Sequence, residues 1–130
     1  MTEIKTFKLE QTFKDIDDLY EFLMQDVEFI GEYCGLRIEY PLKERPFCIT
    51  GTEKETGKKI IFYSTKETLP ENIGELILLA AAFKAEIVVF LVSKINVTLL
   101  ELMNWLHNIC NDNIKIILGE VNFKKRSRYN

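Results

Sequence analysis

Residues 86–92 read EIVVFLV, and this unbroken apolar run restricts the fold more than any other stretch of the chain. A strand with one wet face alternates; one that is apolar throughout is covered on both faces, as a central strand of a layered α/β domain is. The run is flanked by helical patterns. Residues 71–84, opening after Pro70, are apolar almost all round, which predicts a helix packed inside the domain. On the other side Asn96 is placed to cap an amphipathic helix. Its inner stripe is Leu99, Leu102, Met103, Leu106, Ile109 and Cys110, and Trp105 and His107 fall on its outer side. The turn NDN then leads into a last strand, IKIILGEV. Strand, helix, strand, helix and strand thus alternate from residue 59 onward, which predicts three parallel strands joined by right-handed crossovers.

The first half carries other periods. Residues 4–9 suit a short edge strand. Ile16, Leu19, Tyr20, Leu23, Val27 and Ile30 recur at helical steps, with Asp17, Asp18, Glu21, Asp26 and Glu28 opposite and Asp15 as cap, which predicts one amphipathic helix. After Gly35, the residues Leu36, Ile38 and Tyr40 alternate with Arg37 and Glu39, a strand that Pro41 should end. PFCITGT and KKIIFYST flank the turn-forming KETG, so residues 46–66 read as an antiparallel hairpin. With the turn centred near Thr56, Cys48 lies opposite Ser64, and Ser64 shares its face with Lys66, Phe62 and Ile60. The expected fold is α/β, a mixed sheet of about four or five strands flanked by helices. One domain spans residues 1–121, and 122–130 form a basic tail.

Bulk properties exclude several classes. The chain has 130 residues, the size of one domain. The run from Ile73 to Phe83 is shorter than the roughly 20 apolar residues a membrane helix needs. The amino terminus, MTEIKTFKLEQ, lacks the apolar core of a secretory signal. A cytoplasmic location is therefore expected. Cys34, Cys48 and Cys110 form no CxxC pair, and a lone His107 does not complete a zinc set, so reduced thiols and no bound metal are expected. The net charge of −3 divides unevenly: residues 1–32 hold nine acids and three lysines, and the rest hold fourteen bases and eleven acids. GTEKETGKK is not a phosphate-binding loop, because no Ser or Thr follows Lys58 and a strand follows where a helix is needed.

The order of helix, strand, hairpin, helix, parallel strand, helix and strand resembles the core of the PD-(D/E)xK nuclease-like superfamily, and RPFCITGTEKETGKKIIFYSTK strengthens the likeness. That family commonly carries Pro, an apolar residue and Asp on the first hairpin strand, then an acid, any residue and Lys on the second. The resemblance covers roughly residues 15–121. It puts the proline motif on Pro46 and Phe47, the first carboxylate position on Cys48, the second on Ser64 and the lysine on Lys66. A restriction-endonuclease-like core is implied, with only the lysine retained. A thiol and a neutral hydroxyl do not replace carboxylates toward Mg²⁺.

Three readings follow. In the first, a degenerate nuclease-like domain without cleavage, and without a cofactor, binds nucleic acid or a protein partner. Lys66 is its remaining phosphate contact, helped by Lys58, Lys59, Lys124, Lys125, Arg126 and Arg128. In the second, an active Mg²⁺-dependent endonuclease uses Lys66 with relocated acids, Glu75 at the start of the buried helix and Glu39 on the preceding strand. In the third, the chain is a structural protein whose exposed apolar residues pair two copies into a homodimer. Fold alone does not choose among them.

Overall fold

The structure, a computed structural model, describes residues 4–44, 47–110 and 113–125. Its elements are β1 (Lys5–Phe13), α1 (Ile16–Gln25), α2 (Val27–Cys34), β2 (Ile38–Glu44), β3 (Cys48–Glu53), β4 (Lys59–Thr65), α3 (Pro70–Ala82), β5 (Ile87–Val92), α4 (Val97–Ile109) and β6 (Lys115–Phe123). They build one six-stranded sheet in the order β1-β6-β5-β4-β3-β2. β1, β6, β5 and β4 are parallel, while β3 runs against both β4 and β2. The mixed α/β sheet flanked by helices is the architecture expected from the sequence. Every residue of β5 is buried. One face of the sheet packs under α1 and α2 around Leu19, Tyr20, Leu23, Ile49, Phe62 and Val89. The other packs under α3 and α4 around Ile61, Tyr63, Leu76, Val88, Phe90 and Met103.

Several elements depart from the sequence expectation, each for a local reason. The segment read as one helix is two, broken at Asp26. Its N–H still bonds Phe22 O at 2.9 Å, and its carboxylate accepts from Phe29 N at 3.2 Å, so one residue closes α1 and caps α2. Four rings then run Phe13, Phe22, Phe29, Tyr33 with centroids 5.4 Å apart, fixing both helices to β1. Pro41 does not end β2. The strand is at the sheet edge, where a missing N–H costs no ladder bond, and its register breaks between Glu39 and Leu42 with Tyr40 at a φ of +53°. The edge strand expected over residues 4–9 is present as β1 but runs on to Phe13, and its parallel pairing with β6 brings the sheet to six strands. β6 continues to Phe123, two residues past the expected domain limit, and Lys124 N bonds Phe13 O at 2.8 Å.

The hairpin turn decides the register. Glu53 N bonds Lys58 O, and Gly57 N bonds Glu53 O, both at 2.8 Å, enclosing a loop of four residues with Gly57 in the left-handed region. An even loop has no central residue. Cys48 therefore pairs with Tyr63, Ile49 with Phe62 and Thr50 with Ile61, one step away from the register centred on Thr56.

Helix α3 is not the interior helix that its composition predicts. Leu76 is its buried residue, whereas Leu78 is 70% and Ile77 48% exposed. In α4, Leu99 and Met103 are buried and Trp105 is exposed as expected. Ile109, placed on the inner stripe, is exposed instead, and His107, placed outside, is half-buried with Nδ1 3.1 Å from Ile114 O. No helix among the described residues is long and apolar enough to cross a membrane.

At Gly119 a Cβ would collide with the Phe7 ring and stand 2.6 Å from Leu91 Cδ2. Gly119→Ala is expected to cost about 1–3 kcal/mol by overpacking, read as a lower urea midpoint at unchanged slope.

Candidate functional site at the carboxyl edge of the sheet

In open α/β sheets, ligands bind outside the carboxyl ends of the parallel strands. Here β1, β4, β5 and β6 all end on one side, and a lysine follows each: Lys14 after Phe13, Lys66 after Thr65, Lys94 after Ser93, and Lys124 with Lys125 after Phe123. All five are exposed. Neighbouring acids are partly engaged. Asp15 accepts from Asp18 N at 2.9 Å, Asp18 from Lys14 N at 2.9 Å, and Glu120 from Ile95 N at 2.9 Å while pairing with Lys8 at 3.4 Å. Asp17, Glu67 and Glu71 stand at the same edge. Lys66 carries its ammonium 5.5 Å above the Phe123 ring, on the α1 side of the sheet, and its carbonyl accepts from Ser93 Oγ.

Beneath Lys66 the ends of β3 and β4 are joined through a side chain. The buried Tyr20 hydroxyl donates to Phe47 O at 2.7 Å and accepts from Ser64 N at 3.0 Å. It occupies the place of the next ladder bond and ties α1 to both strands. Burial pushes the Tyr20 phenol well above its ordinary range, although the Ser64 N–H works in the other direction. The buried hydroxyls of Ser64 and Thr65 have no hydrogen-bond partner among the described residues.

The three positions that the resemblance assigns to the metal site do not converge. Ser64 and Lys66 share the α1 side with Phe62, as expected. Cys48 lies on the opposite face with Tyr63, because the four-residue loop shifts the ladder by one. The backbone that Tyr20 joins to Ser64 is that of Phe47, so no carboxylate stands opposite Ser64 in this register. Pro46 lies outside the described residues.

The proposed relocated acids are also elsewhere. Glu39 pairs with Thr52, which pairs with Lys59, seven residues before Lys66 and thus about 23 Å along the strands. Glu75 is on the α3 side, where Oε1 accepts from Tyr63 Oη at 2.9 Å. Lys58 and Lys59 lie at the loop end of the hairpin, again about 23 Å from Lys66. They cannot belong to one small footprint with Lys66, Lys124 and Lys125; Arg126 and Arg128 lie outside the described residues. Among the described residues, no three His, Cys, Asp or Glu side chains stand close enough to hold a metal ion.

Lys14 and Lys94 escape a reading of the sequence because they are isolated in it, and only the parallel topology brings them to the edge that Lys66 occupies. Tyr20 offered a signal that was missed. A tyrosine within an apolar stripe must find a partner for its hydroxyl once buried.

No protein-family model matches the sequence, and a search of curated proteins finds no relative. Among solved structures the chain is similar to the yeast mitochondrial Holliday junction resolvase Ydc2, at 18% identity over 66% of this chain and with a TM-score of 0.26. The aligned part spans 49% of the resolvase. That superposition is too loose to carry an activity from one chain to the other.

Tyr20→Phe keeps the ring and strands the Phe47 carbonyl and Ser64 N–H; a loss of about 1–3 kcal/mol is expected in urea unfolding. Burial pushes the Cys34 thiol up to about 12 and the Cys48 thiol up to about 11, the latter helped by Glu44 and Glu75. Tyr20 and Tyr63 are raised further, Tyr63 by burial and then by its bond to Glu75. In the unfolded chain these acids release protons from their ordinary values of 9.0 and 10.0. Stability should therefore hold below about pH 9 and fall as the pH rises toward 12, measured by urea midpoints across the alkaline range.

Proposed function

We propose that this chain is a nuclease-like domain that has given up metal-dependent cleavage and holds the phosphate backbone of nucleic acid at the carboxyl edge of its sheet. The observation that carries the reading is the gathering of Lys14, Lys66, Lys94, Lys124 and Lys125 at the ends of four parallel strands. Lysines in that arrangement neutralise phosphates and position a strand without reading its sequence. Lys66 stands at the β4 end of this row, its ammonium held over the Phe123 ring.

The side chains around Lys66 support the loss of cleavage. Activation of water by Mg²⁺ calls for hard oxygen ligands beside the lysine. The hairpin offers Ser64 there and turns Cys48 to the far face, while Glu39 and Glu75 are committed to other parts of the molecule. A lysine whose acid neighbours form no metal-holding group among the described residues binds and orients a phosphate but does not generate a hydroxide.

The test combines binding with cleavage. Fluorescence anisotropy with labelled duplex DNA, single-stranded DNA and RNA should give affinities that fall with salt, with a slope near 0.9 per neutralised phosphate on the duplex. Lys66→Ala, Lys94→Ala and Lys124→Ala should each lower that slope by about one. Lys58→Ala with Lys59→Ala should leave it unchanged. Incubation with Mg²⁺ or Mn²⁺ should leave the substrates intact. Salt-independent binding, or cleavage that disappears in Lys66→Ala, would overturn the proposal.

A further inference from the structure

The α3/α4 face of the sheet is covered unequally. Register places Leu42 beside Thr50 and Glu44 beside Cys48, and Cys48 belongs to the core under α3. Leu42 and Glu44 therefore point to the α3 side at the sheet's outer edge, which α3 leaves partly uncovered. Leu42 is 56%, Phe47 47% and Leu78 70% exposed along this margin. Between them lies a hollow of about 440 Å³ walled by Glu44, Phe47, Glu75, Leu78, Leu79 and Phe83.

The hollow combines apolar walls with two carboxylates of one sign. Glu75 spends Oε1 on the Tyr63 hydroxyl at 2.9 Å, which orients the carboxylate and leaves Oε2 for another donor. Among the described residues, neither Glu44 nor Glu75 has an ion pair and no lysine or arginine is among the walls. The charges select the occupant. A second copy docked about a two-fold axis would set Glu44 and Glu75 against themselves, because such a contact brings the same patch together twice. A cationic amphipathic segment instead meets complementary charge and buries its apolar stripe on Leu42, Phe47 and Leu78.

We propose that this uncovered margin of the sheet, beside α3, is a docking surface for a basic amphipathic helix of a partner protein. An apolar anchor enters the hollow between Phe47 and Leu78, and a flanking lysine or arginine reaches Glu44 and Glu75. The surface lies on the α3 side of the sheet and Lys66 on the α1 side, so occupation of one does not require the other.

The probe is a synthetic amphipathic peptide of leucine and lysine with one tryptophan, titrated into the full chain and followed by backbone chemical shifts. Saturable shifts centred on Leu42, Phe47, Glu75 and Leu78 are expected. A peptide with glutamate in place of lysine should bind at least about tenfold more weakly. Leu78→Ser, an exposed position, and the pair Glu44→Gln with Glu75→Gln, which keeps an acceptor for Tyr63, should each weaken the basic peptide about tenfold. Lys66→Ala should leave its affinity unchanged. Equal binding of both peptides, or shifts centred elsewhere, overturns the proposal. So does a dimer in sedimentation that Leu78→Ser dissolves, or an affinity that rises about tenfold in Arg45→Gln, where the chain's own arginine would supply the cation.

Discussion

The burial of β5 on both faces is the constraint from which the rest of the architecture follows. A strand with no wet side needs a helical layer above and below it. In a chain of this length one layer comes from the crossover connections, α3 on the way into β5 and α4 on the way out, and the opposite layer comes from α1 and α2. The crossovers through α3 and α4 keep β4, β5 and β6 parallel, and β1 joins them in the same sense, so four strand ends emerge on one side. The lysines that follow those strands become neighbours for a topological reason, and no local sequence signal records it.

Much of the architecture was legible because it depends on periodicity. EIVVFLV announced a two-sided strand, the Asn96 cap holds as expected with its side chain accepting from Leu99 N at 2.8 Å, and the hairpin lies where its turn residues put it. What escaped depends on single residues or distant partners. The helical pattern from Ile16 to Ile30 does not reveal that Asp26 serves two helices at once, since a break that preserves the apolar face leaves the pattern intact. The edge position that makes Pro41 harmless is a property of the sheet, invisible within the strand. A nearly all-apolar α3 suggested an interior helix, yet one side of it has nothing to lie against.

The candidate site shows how small the margin is between a right and a wrong alignment. Whether the hairpin loop has an odd or an even number of residues decides which side chain stands opposite Ser64, and KETG does not disclose it. One step of register moves Cys48 through the sheet. The strand assignments survive that error, and so does the grouping of Ser64 with Lys66, because both lie on one strand. Relations across strands do not survive it. Tyr20 makes the true register rigid at its open end, where its hydroxyl stands in for a missing main-chain bond.

The irregularity at Tyr40 and Pro41 also bears on how the molecule coexists with copies of itself. A straight outermost strand displays a row of unmet amide and carbonyl groups, and such a row invites another chain to zip on. Here the margin is interrupted midway by a residue twisted to a φ of +53° and by an imino acid with nothing to donate. The kink denies a newcomer a continuous template, so growth by strand addition stops at this rim while the neighbouring side-chain surface remains open to other kinds of contact.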